Sequence, residues 1–403
     1  MLSREFDVLI VGAGPAGITA ACAARKAGAT VGVADDNPAA GGQIWRGTTN
    51  PTIEKFKQCG AELLSGLRIF HAPEPNTLLA QTCGATVKLH YKSLILATGA
   101  RELFVPFPGW TLPNVMGAGA LQALVKSGLD VRGKRVIVAG SGPLLLAAAA
   151  YLVSSGAHVL RVAEQASYAS VTSFGRQMWN KPDKLWQAFQ LFSELTAVPI
   201  SYHCYPVQAE GDGKLQRVLF DGAERWIESC DYLACGYGLV PNTELGQLLG
   251  AAVENSFIKV DQHQQTTIKG IYAAGEPTGI GGLDKALIEG RLAGYAAVGL
   301  EHMEPALALK QARQFEALLA ATYALRPELQ KIATASTIVC RCEDVTLEQL
   351  IGYDSLREAK LHTRCGMGPC QGRICGPALK HLRGWQPDSV RPPIFPAKVS
   401  SFF

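Results

Sequence analysis

Phe6-Asp7-Val8-Leu9-Ile10-Val11-Gly12-Ala13-Gly14-Pro15-Ala16-Gly17, running on through an alanine-rich stretch to Lys26, decides how this chain begins to fold. Residues 6 to 11 read as a buried parallel strand, the glycines as a turn, the stretch to Lys26 as a helix, and Thr30 to Ala34 as a second strand. That is a beta-alpha-beta unit. Gly12 suits the tight turn, Gly14 lets backbone N–H groups approach a pyrophosphate, and Gly17 lets the helix pack close to the strand; the helix N-terminus favours negative charge. Gly12, Gly14, Pro15, Ala16 and Gly17 are the candidate cradle residues. Asp35 and Asp36 end the second strand where an acid accepts hydrogen bonds from ribose hydroxyls.

Three later segments extend the pattern. Gly41-Gly42-Gln43-Ile44 follows the acids in a loop where backbone passes close to a ligand, and Leu94 to Thr98-Gly99 is a buried strand ending in a small-residue turn. Ile271-Tyr272-Ala273-Ala274-Gly275-Glu276 then precedes a glycine-rich turn and a helix over Leu283 to Ala297. With these four motifs in this order, residues of roughly 5 to 300 resemble the two-dinucleotide-binding-domain flavoproteins, which include thioredoxin reductase and glutathione reductase. The resemblance implies FAD in the first domain, with the Gly41-Gly42 pair near the pyrophosphate and the acid after Gly275 near the ribityl or phosphate end. That acid is Glu276 here, where the family usually carries Asp.

Lys134 to Ala139, Gly140-Ser141-Gly142-Pro143-Leu144-Leu145 and the strand Val159 to Ala163 before Glu164 repeat the nucleotide fold. Leu145 stands where the third glycine belongs, so the phosphate pocket is expected to be distorted and NAD(P) not to be its ligand. Glu164 could still pair with a ribose, which leaves an adenine nucleotide, held for structural reasons, as the ligand this fold could take. No Cys-x-x-Cys occurs, which removes the redox disulfide of thioredoxin-reductase chemistry. The insert from Ser167 to Phe192, with Phe174, Trp179, Trp186, Phe189 and Phe192, reads as packing or an interface.

Bulk composition bounds the rest. The chain's 403 residues call for two or three domains; 48% are hydrophobic and 18% charged, and the net charge of +4 has no basic run, so nucleic acid is not an expected partner. Met1 to Asp7 lacks the parts of a signal peptide, and the longest apolar stretch, Pro143 to Val153, is too short to span a membrane. The expected compartment is the cytoplasm, with any contact at the inner membrane peripheral.

Of eleven cysteines, Cys340, Cys342, Cys365, Cys370 and Cys375 are bunched. In a cytosolic type of chain such a cluster points to metal rather than to disulfides. Thiolates are soft anionic donors, and the glycines beside them free N–H groups for sulfide, so Cys-x-Cys with two later cysteines suits a 2Fe-2S cluster; zinc is the rival. The ligands chosen are Cys340, Cys342, Cys370 and Cys375, with Cys365 in reserve.

Cys340-Arg-Cys-Glu343 and Thr363-Arg-Cys-Gly-Met-Gly-Pro-Cys-Gln-Gly-Arg-Ile-Cys375 resemble the bacterioferritin-associated-ferredoxin-like domain, in the variant attached to alpha subunits of dye-linked amine and amino-acid dehydrogenases. Pro106 to Thr111 and Gly236 to Asn242 resemble those subunits too. The family includes opine oxidase, hydrogen cyanide synthase, D-hydroxyproline dehydrogenase and some L-proline dehydrogenases. The resemblance implies an α/β fold of two Rossmann-like domains, the second inserted in the first, with a small α-helical C-terminal 2Fe-2S domain. Expected boundaries are 1–105 with 245–303 for FAD, 106–244 for the second fold, 304–328 for a helical connector, 329–390 for the cluster and 391–403 for a tail.

The same resemblance implies partners: a beta subunit similar to D-amino-acid oxidases with its own flavin, a small gamma subunit with another 2Fe-2S centre, and a quinone or dye as acceptor. The function implied is electron transfer in a heteromeric dehydrogenase of D-hydroxyproline, proline or an opine. Its alternatives are a subunit of a glycine-oxidising hydrogen cyanide synthase, a stand-alone NAD(P)H-dependent reductase, and a non-catalytic iron-sulfur interaction protein. No catalytic constellation is evident; His158, His203 and His362 stand alone and read as structural.

Overall fold

Strand Leu2–Val11 (β1) carries Val8, Leu9 and Ile10 wholly buried, because both of its faces and both of its edges are covered. A computed structural model describes residues 2–82, 84–180, 182–301, 306–386 and 390–402. It divides into two compact units, one of Met1–Arg101, Pro241–Ala317 and Ser389–Phe403, the other of Glu102–Val240 and Leu318–Asp388.

In the first unit, β1 feeds helix Pro15–Lys26 (α1) and then strand Val31–Asp35 (β2), which pairs with β1 in parallel. Strands Glu62–Ser65 (β3), Arg68–Glu74 (β4), Thr77–Gln81 (β5) and Thr86–Leu96 (β6) complete the order β3-β2-β1-β6-β5-β4. The long β6 serves two neighbours on one edge. Its first half pairs antiparallel with β5, and Leu94 to Leu96 pair in parallel with Ile271 to Ala273. The motifs ending at Thr98 and Gly275 are thereby brought to the same end of the sheet as the Gly12–Gly17 turn.

Small residues set the helix layer. The helix Gly282–Ala296 lies on α1 with Gly290 against Ala16 and Gly294 against Ala20, so close that a Cβ at either glycine would collide with a backbone carbonyl. The last residues fold back on this unit, where Ile394 N–H donates to the Phe70 carbonyl at 2.9 Å and Phe402 meets the Phe70 ring edge-on.

The second unit holds a five-stranded parallel sheet in the order Ile200–Tyr202, His158–Glu164, Arg135–Gly140, Tyr232–Gly236 and Val115–Gly117, plus an antiparallel sheet of Cys204–Glu210, Arg217–Gly222 and Trp226–Ser229. The cysteine-bearing segment belongs to this unit. It consists of a short strand pair, Ile338–Cys340 with Val345–Thr346, and the helices Leu356–Thr363 and Cys375–Arg383. Its core of Val339, Leu350, Leu356, Ala359 and Leu379 surrounds the thiols, while the Trp110 indole N–H donates to the Ile338 carbonyl at 2.5 Å. The aromatic insert forms the helices Tyr168–Gln177 and Pro182–Glu194, and Trp179 at 78% and Trp186 at 60% exposure are surface residues rather than core. Among the described residues no helix is long and apolar enough to cross a membrane.

The two kinds of glycine separate cleanly in a stability test. Gly290→Val drives a side chain into the Ala16 backbone and should cost about 1–3 kcal/mol or more. Gly175→Ala, in an open helical position with nothing near its Cβ, should gain about 0.5–1 kcal/mol. Thermal unfolding of the two variants checks both signs.

Candidate functional site

At the end of β1 the backbone is folded so tightly that only hydrogen fits at two positions. A Cβ on Gly12, whose φ is +108°, would strike the Ala97 carbonyl, and one on Gly17 would strike the Gly12 carbonyl. Gly14 is the opposite case, with no atom within 4 Å of where its Cβ would stand. Its N–H donates to no protein acceptor among the described residues. The Asp35 carboxylate, buried at the end of β2, accepts the Ala13 N–H at 2.6 Å and the Asn37 N–H at 2.8 Å.

The other motifs converge on this turn. Gly41 N–H donates to the Ala13 carbonyl at 2.8 Å, and a Cβ on Gly42 would stand 3.0 Å from the Gly14 Cα. Thr98 and Gly99, directly after Ala97, are clasped by Asn242: the Thr98 hydroxyl donates to its carbonyl at 2.6 Å and its side-chain amide donates to the Thr98 carbonyl at 2.9 Å. Gly275 packs on Ala16 at the first turn of α1. Asp36 and Gln43 are exposed, Asp36 facing Arg68 at 3.7 Å, so they stand outside the buried part of the turn.

Glu276 leads into a group of charges that sequence reasoning missed. Lys285 and Glu289 are 2% and 1% exposed, and the Lys285 ammonium donates to Glu289 Oε2, the Thr278 hydroxyl and the Gly279 carbonyl, each at 3.0 Å. Glu289 also accepts the Gly275 N–H at 2.9 Å, which ties the motif to the helix beneath it. A Lys-Glu pair four residues apart in the helix that follows Gly275 was the available signal. Glu276 Oε1 accepts the Gly282 N–H at 3.1 Å, while Oε2 is buried with no partner. Burial pushes the Glu276 carboxyl up to about 7, against the pull of the Lys285 charge and with the help of Glu289 and Glu316. The open Gly14 N–H and the orphaned Glu276 oxygen are what a bound phosphate-and-polyol group would satisfy, so these residues fit FAD.

The second candidate is the thiol cluster. The sulfurs of Cys340, Cys365 and Cys375, all buried, lie within 4.8 Å of one another. Cys340 ends a strand, Cys365 follows the left-handed Arg364 that closes its helix, and Cys375 opens the last helix, whose N-terminus favours a thiolate. Thiol hydrogen bonds from Cys365 and Cys375 hold the Cys340 sulfur far below the usual thiol range, helped by the Gly366 N–H at 3.4 Å. The Cys375 thiol is pushed up in turn, first by its hydrogen bond to Cys340 and then by that to Cys365. Cys342, exposed, and Cys370, half-buried, adjoin each other beside this trio. Of the four chosen ligands the structure thus gathers Cys340 and Cys375 with the reserve Cys365, because the left-handed turn at Arg364 directs residue 365 inward. Several thiols this close cannot all ionise alone, and a soft cation relieves that conflict.

A family model described as Pyridine nucleotide-disulphide oxidoreductase matches residues 6–290. The chain belongs to that family. It is an oxidoreductase of the flavoprotein kind. An opine oxidase subunit from Rhizobium meliloti is 32% identical, with 94% of this chain and 82% of the relative covered. Hydrogen cyanide synthase subunit HcnB of Pseudomonas aeruginosa is 30% identical, covering 98% and 97%. Among solved structures, L-proline dehydrogenase from P. horikoshii superposes with a TM-score of 0.71 at 19% identity, over all of this chain and 80% of that one, which speaks to the fold. The family match stops before the thiols, whereas these relatives align across most of the chain.

Glu276 gives this oxidoreductase a pH signature. A carboxyl at about 7 when folded, against 4.5 when free, keeps its proton on folding, so its contribution to the stability of the flavin-free protein is fully present below pH 4.5 and is lost as pH rises from there through 7. The loss attributable to this group is about 3 kcal/mol between pH 4.5 and 7.5. Glu276→Gln, facing the same Lys285, Glu289 and Glu316, should flatten that slope, as denaturant titrations across the range would register.

Proposed function

We propose that this chain is the electron-transfer alpha subunit of a heteromeric flavin-dependent dehydrogenase for a secondary amine or amino acid of the D-hydroxyproline, proline or opine class. The observation that carries the reading is the pairing, in one chain, of an open pyrophosphate cradle with a buried thiol cluster beyond the family match. Relatives named as subunits of opine oxidase and hydrogen cyanide synthase align across both. When bound, FAD takes up electrons in pairs and releases them singly, and a 2Fe-2S cluster carries one at a time, which makes the two together a two-to-one converter.

The residues divide that task. Gly12 and Gly17 set the turn, the Gly14 N–H faces an anionic oxygen, Asp35 and Gly42 shape the cradle, and Glu276 offers its free oxygen to the cofactor. Cys340, Cys342, Cys370 and Cys375 hold the cluster, with Cys365 as the fifth thiol. Oxidation of the amine itself falls to a partner protein, and electrons leave to a quinone or dye. Similarity over 98% of this chain to a hydrogen cyanide synthase subunit favours a second reading, in which the partner oxidises glycine.

Purification with and without the amine-oxidising partner subunit tests the division. Amine should bleach the flavin only in the complex; bleaching in the isolated chain would sink the subunit reading, and glycine as the sole effective substrate would favour the second one. Gly14→Ala adds one methyl to open space, so the flavin-free protein should melt within about 2 °C of wild type, while FAD affinity falls at least tenfold. Cys340→Ser and Cys375→Ser should each abolish bound iron and sulfide, as Cys342→Ser and Cys370→Ser should; Cys365→Ser should retain them. Iron and sulfide analysis with the visible spectrum reads all five.

A further inference from the structure

The two nucleotide folds differ at the atoms that meet a pyrophosphate. In the first, Asp35 takes the Ala13 N–H and leaves that of Gly14 open. In the second, Glu164 Oε2 takes the N–H of Gly142 itself at 2.7 Å, and Oε1 takes that of Ala166 at 2.8 Å. The donor aimed at a ligand in one fold is consumed by the protein in the other.

What lies over Gly142 is the chain's own later segment. The Tyr323 ring stands there, its Cγ 3.9 Å from where a Cβ would be, and Phe174 meets it edge-on at 5.6 Å. The Ser141 hydroxyl donates to the Tyr323 carbonyl at 3.2 Å. Gln165, wholly buried, fastens the rest: its amide donates to the Ser141 hydroxyl at 2.8 Å and to the Ala324 carbonyl at 3.2 Å, and its oxygen accepts the Arg326 N–H at 3.1 Å. Displacing the segment would strand buried polar groups of Gln165 and Ser141 and set phosphate charge beside the Glu164 carboxylate. Leu145, 1% exposed at the third-glycine place, closes the helix side of the turn.

We propose that Tyr323–Arg326 is a built-in occupant of the second nucleotide fold, seated where a dinucleotide's pyrophosphate would lie, so that this fold takes neither a pyridine nor an adenine dinucleotide while the segment is in place. The consequence is one of specificity: electrons do not enter this chain from NADH or NADPH. The proposal rests on residues of the second unit alone and stands or falls separately from the FAD reading.

The probe is ADP-ribose, titrated calorimetrically into the full chain in saturating FAD, so that the first cradle is already filled. No saturable heat should appear up to about 1 mM, and saturation below that concentration would overturn the proposal. Tyr323→Gly combined with Gln165→Ala should strengthen ADP-ribose binding at least tenfold; a folded double variant that gains nothing would also overturn it. Should the double variant fail to fold, amide exchange in the wild-type chain decides. Gly142 and Arg326 should be protected and unmoved by ADP-ribose, and fast exchange at either, or protection lost on addition, counts against the seated segment.

Discussion

A single buried hydrogen bond, from the Ala13 N–H to the Asp35 carboxylate, orients the turn on which the first unit depends. A charge-assisted bond of this kind is roughly twice as strong as a neutral one, and it joins the ends of two adjacent parallel strands. With Ala13 held inward, the Gly14 N–H is turned outward. The close approaches at Gly12 and Gly17 follow from the same geometry, since the turn can be this tight only where no side chain intervenes. Gly42 and Gly275 then come within contact of it, so four stretches scattered over the sequence share one small volume.

Both sites concentrate charge that burial penalises. Lys285 and Glu289 are almost fully enclosed, and removing water from two ions costs several kcal/mol each. The lysine has three close acceptors and the glutamate also takes a backbone N–H, which is the condition under which such a pair is tolerated. Glu276 lacks that compensation at one oxygen and keeps its proton toward neutrality. In the thiol cluster the same conflict is settled by leaving the charge on Cys340 and raising Cys375. Each arrangement leaves something for a further group to satisfy.

The repeat of one fold within the chain shows how little a motif says by itself. Gly12-Ala-Gly14 and Gly140-Ser-Gly142 have nearly the same residues, each followed by a strand and an acid. One ends with its second-glycine N–H open and the other with it bound to Glu164 beneath Tyr323. Leu145 marks the second turn as altered, yet nothing near it in sequence names the residues that cover it.

Local pattern determined the first nucleotide fold, its glycines and acid, the repeat with its missing third glycine, and the grouping of the cysteines, because each rests on neighbours within a few residues or one beta-alpha-beta unit. Tertiary structure alone decided which thiols meet, that Asp35 rather than Asp36 is the buried acid, that Lys285 and Glu289 pair beneath Gly275, and that Tyr323 lies on Gly142. Those outcomes depend on which distant segments come to share a dry volume. There, hydrogen bonds and charges must be satisfied by whatever is present, and spacing along the chain carries no record of that.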